Sequence, residues 1–296
     1  MADIDALRSQ QYSTNLTMLS QQMGSKFGQA CMITPVTGAK AARLISQLDD
    51  TESQERTTRA EPAMNIRMDH TGRWVYFRQF DWGTVIDNID LLQTNIAPQG
   101  AYVRSGVAAM KRKEDDLFLS AFFGTSKTGE TGGTDVTFPA AQQVAVTEGV
   151  GSATGMNLSK MEAAMQLLLA SEVDLDAEVP LMGISPKQHR ELKALTEVKS
   201  SDFNNRKVLG EDGMLKHFNG FDLIISNRLP TDGSGYRRIP VWVKSGMGKG
   251  LWSDIKGEIR KRPDLQGNPD YAEATMALDF TRLEEVRCVE IKCAES

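Results

Sequence analysis

The first apolar rhythm in this chain is helical and narrow. Tyr12, Leu16, Leu19, Met23 and Phe27 recur at spacings of three and four in an otherwise polar stretch, residues 1–50. That spacing predicts a helix with one apolar stripe. Such a stripe needs a partner surface, either the body of its own domain or a neighbouring copy of the chain. Leu16, Leu19 and Met23 are the candidate contacts. The second rhythm alternates. Met64, Ile66 and Met68 interleave with Asn65, Arg67 and Asp69, and Trp74-Val75-Tyr76-Phe77 continues after the turn-like His70-Thr71-Gly72-Arg73. Alternation predicts half-buried strand. A two-stranded ribbon is too thin to bury these side chains within itself, so Arg67, Trp74 and Tyr76 are candidates to touch another subunit. A short helix carrying Val85, Ile86, Ile89 and Leu92 on one side is expected next.

The third rhythm is the longest. Pro98 suits the first turn of a helix, where its missing N–H costs nothing. Val103, Val107, Met110, Leu117 and Ala121 then follow at helical spacing, and Gly124 supplies a stop. The predicted helix over 98–123 is about 39 Å long at about 1.5 Å per residue. Its run Lys111-Arg112-Lys113-Glu114-Asp115-Asp116 mixes both signs and is expected to be solvated or to face a subunit. Residues 125–155 are rich in Gly, Thr and Ser and read as an exposed connection, with a short strand near 143–146.

Beyond it the texture becomes compact α/β. Ser159-Lys160-Met161-Glu162 and Ser185-Pro186-Lys187-Gln188 are capping-box patterns, each opening a helix. A buried strand is expected over 179–184. Phe218-Asn219-Gly220-Phe221 signals a hairpin, because Asn-Gly accepts positive φ. Further strands are expected over 222–226, 239–244, 258–260, 273–280 and 285–293. In the last, Val289, Ile291 and Cys293 face one way while Glu290 and Lys292 face the other.

Composition bounds what these elements can do. With 296 residues, 40% hydrophobic and 25% charged, the chain can build a real core. A net charge of -5 and a pI near 5.4 argue against a protein that grips duplex DNA, which needs a concentrated basic patch. They leave open a protein that merely confines nucleic acid. No apolar run spans a membrane, and the start MADIDALRSQQ lacks the basic and apolar regions of a signal peptide.

Catalytic chemistry finds little support. His70, His189 and His217 are scattered without metal-ligand spacing, so no metal or cofactor is expected. Ser185 and His189 lie four apart, but Ser185 is better used as a helix cap. Gly246-Met247-Gly248-Lys249-Gly250 follows a strand yet lacks the spacing of a phosphate loop, and reads as a flexible turn. Asp49-Asp50 and Asp115-Asp116 are adjacent carboxylates that point apart. Cys31, Cys288 and Cys293 read as reduced structural thiols, the last two on opposite faces of a strand.

The order of parts is itself informative. Phe80-Asp81-Trp82 and Ile86-Asp87-Asn88-Ile89-Asp90 lead into the long helix, and Arg112-Lys113-Glu114-Asp115-Asp116-Leu117 with Ala121-Phe122-Phe123-Gly124 close it. Then come Gly183-Ile184-Ser185-Pro186-Lys187-Gln188, Gly220-Phe221-Asp222, Ser226-Asn227-Arg228-Leu229-Pro230, and finally Arg282-Leu283-Glu284-Glu285-Val286 with Val289-Glu290-Ile291. In this arrangement the chain resembles the major capsid proteins of tailed bacteriophages, the Hong Kong 97-type fold. The resemblance implies an α+β protein with an N-terminal arm (1–50), an extended loop (51–82), a peripheral domain (83–157) on a spine helix (98–123), an axial domain (158–257), and strands returning to the peripheral domain (258–296). It implies a structural, non-enzymatic shell protein that self-assembles in the host cytoplasm into hexamers and pentamers of an icosahedral head. That head would confine double-stranded DNA, with Lys26, Lys40 and Arg43 on the arm facing it. Portal protein is a further implied partner; the likeness is to the short, undecorated members of the class, and the sequence leaves open whether a decoration protein binds. The arm starts close to Met1, so a separate scaffolding protein is expected. The loop contains no lysine, so the Lys–Asn cross-links of some relatives are not expected. Two other readings compete. An encapsulin-type compartment would share the fold but house cargo enzyme. A nucleotide-dependent enzyme would use the glycines at 246–250.

Overall fold

The computed structural model describes residues 20–48, 53, 55, 59, 70–86, 99–195, 198 and 213–295. Tyr12, Leu16, Leu19, Met64, Ile66, Arg67, Met68, Ile89 and Leu92 lie outside them. In chain order the elements are β1 (Met32–Pro35), β2 (Ala41–Leu48), β3 (His70–Tyr76), β4 (Gln79–Ile86), α1 (Gln99–Phe123), β5 (Ser126–Thr128), β6 (Thr134–Val136), β7 (Gln143–Val144) and α2 (Leu158–Ala170). There follow β8 (Leu181–Ile184), α3 (Pro186–Ala194), β9 (His217–Phe218), β10 (Phe221–Ile225), β11 (Arg237–Trp242), β12 (Met247–Lys261), β13 (Asp270–Arg282) and β14 (Cys288–Cys293). The chain divides into two compact units.

The first unit comprises Met1–Ser25, Arg78–Glu114 and Ser253–Leu278. β4 runs antiparallel to β13, from Asp270 opposite Ile86 to Ala277 opposite Gln79. Val85 and Ile86 thus end a strand, where a helix was expected. The physical reason is the alternation of Phe80, Trp82, Thr84 and Ile86 on one side with exposed Asp81, Gly83 and Val85 on the other. The first turns of α1 lie on this sheet at two positions where a side chain would not fit. A Cβ on Gly106 would stand 2.3 Å from the Trp82 ring, and one on Gly257 would stand 2.8 Å from Val103.

The second unit comprises Lys26–Phe77, Asp115–Trp252 and Asp279–Ser296. Its six-stranded sheet has the order β7-β14-β11-β8-β10-β9. β8 and β10 are parallel, while β11 is antiparallel to both β8 and β14. β14 therefore joins the sheet of the α/β segment. A second, four-stranded sheet has the order β2-β3-β5-β6. The parallel pairing of β1 with the start of β12 runs from Met32 opposite Gly248 to Pro35 opposite Leu251.

The expected flexible turn at 246–250 is instead buried, with Gly246 closing a short 3-10 turn and strand β12 beginning at Met247. A Cβ on Gly248 would meet Leu283 and Leu44 at 2.7 and 2.8 Å, and one on Gly250 would meet Val75 at 2.7 Å. The glycines admit neighbouring side chains rather than a phosphate.

Local signals account for several ends. Asn219 (φ 48°) and Gly220 (φ 81°) form the β9–β10 turn as expected. Ser185 and Gln188 form the anticipated capping box. The cap of α2 is Asn157, whose side chain accepts from Lys160 N at 2.8 Å, and the helix begins at Leu158. The Ser159 to Glu162 capping box is not formed, because Asn157 meets the helix two residues earlier and is among the strongest caps.

The core of this unit is aromatic. Phe27 stacks on Phe118 at 5.2 Å, and Phe118 meets Trp242 at 5.0 Å and Phe280 at 5.7 Å. The Trp242 indole donates to Ala30 O at 2.7 Å. The mixed-charge run of α1 is not solvated throughout: Glu114 and Asp115 are buried. Asp115 accepts from the backbone N–H groups of Lys26 (2.9 Å) and Phe27 (3.0 Å), which lock Phe27 into the core. The last carbonyls of α1 find a distant cap. The fully buried Arg282 donates through Nη1 to Ala121 O (3.1 Å), Phe122 O (2.6 Å) and Gly124 O (2.6 Å), and through Nη2 to Val136 O (3.0 Å).

Candidate functional site

The residues expected to carry contacts fall on the second unit and on the chain before it. On β3, Trp74 and Tyr76 share a face by strand alternation, and both already hold their own chain. The Trp74 indole donates to Gly129 O at 2.8 Å and the Tyr76 hydroxyl to Gly132 O at 3.1 Å, so the loop between β5 and β6 lies across both rings. Trp74 is half-buried and Tyr76 exposed. On the opposite face, Val75 is buried, and Arg73 donates to Leu283 O at 3.0 Å and pairs with Glu285. Phe77 is exposed and meets the Trp252 ring edge-on at 5.7 Å. These rings give β3 a rigid aromatic surface on a strand held by β2 and β5, not a free two-stranded ribbon.

Of the residues expected to contact other subunits, Met23 is half exposed, while Leu16, Leu19 and Arg67 lie outside the described residues. The three cations expected to face nucleic acid are all exposed. Lys26 is anchored: its ammonium donates to Ile225 O and its backbone to Asp115. Arg43 lays its guanidinium over Gly72, where a Cβ would collide with it. Lys40 accepts from Phe77 N through its carbonyl at 2.8 Å.

Other titratable groups have structural uses. Burial, with help from Lys193, lowers the His189 pKa, which keeps its Nε2 free to accept from Leu215 N at 3.1 Å. Ser185 donates to Glu295 at 2.9 Å and caps α3, so the Ser185–His189 spacing makes no nucleophile. Arg237, Ser185 and Gln188 together hold the Glu295 carboxyl below its ordinary range. Lys160 is fully buried and donates to Thr154 O (2.7 Å), Gly155 O (2.9 Å) and Lys292 O (3.1 Å). Burial lowers its pKa. All three cysteines are free and buried, and burial raises the Cys288 thiol pKa and pushes Cys293 up to about 12. Among the described residues no group of three His, Cys, Asp or Glu could hold a metal.

One concave feature stands out on the second unit. A hollow of about 420 Å³ opens beside the end of α1, with Leu119, Phe123 and Pro230 as its apolar walls. Asp116 and Arg228 line it and form a bidentate pair at 2.6 and 2.5 Å. Arg238 lies over the Phe123 ring at 4.1 Å and grips the buried Glu290 at 2.6 and 2.8 Å. Sequence reasoning missed the roles of Asp115, Arg228, Arg238 and Arg282. Asp115, Arg228 and Arg282 stood in motifs already singled out, which marked the segments but not the partners, and Arg238 stood in none.

This molecule thus offers packed surfaces, exposed rings and structural ion pairs. A family model described as phage capsid protein matches residues 4–295. The chain belongs to that family. Solved structures agree on the fold of this capsid protein. The capsid of cyanophage P-SCSP1u superposes with a TM-score of 0.72 at 14% identity, covering 100% of this chain and 96% of that one. The capsid of cyanophage Pam1 gives 0.69 at 13% identity, covering 100% of both. The capsid of the native GTA particle gives 0.65 at 14% identity, covering 99% and 98%. The sequence matches none of the curated proteins. The fold is the mixed α+β, Hong Kong 97-type fold expected from the order of parts, and the role of the capsid protein is structural.

Proposed function

We propose that this capsid protein assembles with copies of itself into pentamers and hexamers of a closed icosahedral head that encloses double-stranded DNA. The observation that supports this best is the match of the whole chain, end to end, to capsid subunits. In this reading residues 1–50 are an arm, 51–82 a loop that reaches a neighbour, 83–157 a peripheral domain, 158–257 an axial domain, and 258–296 the returning strands, of which the last, β14, pairs with β11 of the axial segment. Leu16, Leu19, Met23, Arg67, Trp74 and Tyr76 touch other subunits, and Lys26, Lys40 and Arg43 face the packaged DNA. Assembly takes place in the host cytoplasm with a separate scaffolding protein and a portal. The chain performs no catalysis.

Physical chemistry supports the same reading. Met23, Tyr76 and Phe77 are apolar side chains left in water on the isolated subunit, and such surface gains free energy by burial against a second copy. Electron microscopy of the expressed chain, alone and with its scaffolding protein, is the test. Closed shells of uniform diameter are expected. A monodisperse monomer under every condition, by light scattering, overturns the proposal.

A further inference from the structure

Unlike groups sit at opposite ends of the six-stranded sheet, exposed carboxylates at one and guanidinium groups at the other. The loop over residues 171–180 joins α2 to β8 and contains Glu172, Asp174, Asp176 and Glu178 with no Lys or Arg. It is a built turn. Asp174 Oδ1 accepts from the backbone of Asp176 (3.2 Å) and Ala177 (3.1 Å), and Glu178 accepts from Ser245 N (3.0 Å) and Ser245 Oγ (2.8 Å). Asp174 and Asp176 are left exposed, and Val179 is half exposed beside them. The loop therefore presents carboxylates next to an aliphatic side chain.

The hollow beside α1 is neutral overall, since Asp116 and Glu290 match its two guanidinium groups, but it offers donors beside an apolar wall. Arg228 and Arg238 each use Nε and Nη2 on a carboxylate of their own chain, and among the described residues no acceptor takes the Nη1 edge of either guanidinium. Leu119, Phe123 and Pro230 give it an apolar wall.

Register places the two features apart. Leu181, where the acidic loop enters the sheet, pairs with Asp222 at the start of β10 and with Trp242 at the finish of β11. Arg238 is near the start of β11, and Arg228 follows the finish of β10. The length of β11 separates the ends by about 17 Å, at about 3.3 Å per residue. A chain cannot fold its own loop into its own hollow without dismantling β8. A contact between the two must join different copies head to tail, and such a contact generates a ring when its rotation closes.

We infer that the acidic loop of one copy seats in the guanidinium-lined hollow of the next, with Asp174 or Asp176 on Arg228 and Arg238 and Val179 against the apolar wall. The inference rests on the shell reading above and names one contact that builds its rings. Two experiments test it on the full chain. In the first, Asp176→Cys and Ser120→Cys are placed in one chain and assembled particles are oxidised. Ser120 is an exposed residue lining the hollow, and the native thiols are buried. A disulfide ladder extending beyond the dimer is expected, and neither single variant forms one. In the second, Asp174→Arg with Asp176→Arg lowers the yield of particles at least tenfold, and Asp174→Asn with Asp176→Asn lowers it less. Circular dichroism verifies that each subunit is folded. Well-formed particles without a ladder, or loop variants that assemble as the parent does, overturn the contact while the shell reading stands. If Arg228→Glu alone blocks assembly and the loop variants do not, another occupant fills the hollow and the inference is wrong. A parent chain that never assembles removes the shell reading itself.

Discussion

Arg282 shows how much one side chain can settle. The last turn of any helix leaves carbonyl groups without intrahelical partners. In α1 these are met by a guanidinium from β13, which reaches Ala121, Phe122 and Gly124 and also ties in Val136. No basic residue stands in the last turn of α1 itself. The charge-assisted bonds are worth more than neutral ones, and removing the donor leaves several buried acceptors unpaired. Arg282→Met should therefore lower unfolding stability by about 3–5 kcal/mol. Arg282→Lys should recover only part of it, because an ammonium cannot span both Nη positions. Urea denaturation of the subunit measures both. If Arg282→Met costs less than about 1 kcal/mol, the guanidinium is not what closes the helix.

Elements were legible in the sequence to the degree that their determinants are local. The long helix announced itself through Pro98, its stripe and Gly124, and the structure runs it over Gln99–Phe123. The Ser185 box and the Asn219-Gly220 turn need only residues within three or four positions, and both formed. Two failures were local, the Ser159 box displaced by Asn157 and the helix expected at Val85 and Ile86 where alternation makes β4, and the others have distant causes. The glycines at 246–250 looked like a flexible turn because Leu44, Val75 and Leu283, which fill the space above them, lie far away in the chain. Asp115 looked solvated because the groups it binds are 88 and 89 residues away. The hollow was invisible for the same reason, since Arg228 finds Asp116 across 112 residues. Asp115 also yields a prediction for the helix it sits on. It is the link that holds Lys26 and Phe27, and through them the aromatic cluster, against α1. Asp115→Ala leaves buried Phe27 N unpaired and should cost about 2–4 kcal/mol. Hydrogen exchange should show faster opening of residues 26–31 and of the second half of α1 together. Protection unchanged in both would show that the carboxylate does not couple them.

At the scale of the whole molecule, the question is how a capsid subunit of net charge -5 would meet the polyanion that the proposed head encloses. Repulsion over the surface disfavours a general affinity for DNA and leaves only local cations to touch phosphates. Lys40 and Arg43 are exposed, and Lys26 spends part of its ammonium on Ile225 O. Even if all three reached phosphates, counterion release would give a slope of about -0.9 per contact in log K against log salt. Three contacts then lose roughly 40-fold in affinity between 50 and 200 mM salt. Binding by free subunits should accordingly be weak, insensitive to sequence and nearly absent at physiological salt. Lys40→Ala with Arg43→Ala should flatten the slope by about two, whereas Lys26→Ala should change it by less than one. Filter binding or fluorescence anisotropy over a salt series reads each slope. In the proposed reading, such a surface suits a wall that holds a tightly packed genome without fixing it in place, because every local attachment is easily exchanged. Tight binding that ignores salt, or that prefers one sequence, would contradict confinement and require base-reading contacts that neither the charge distribution nor these three cations supply.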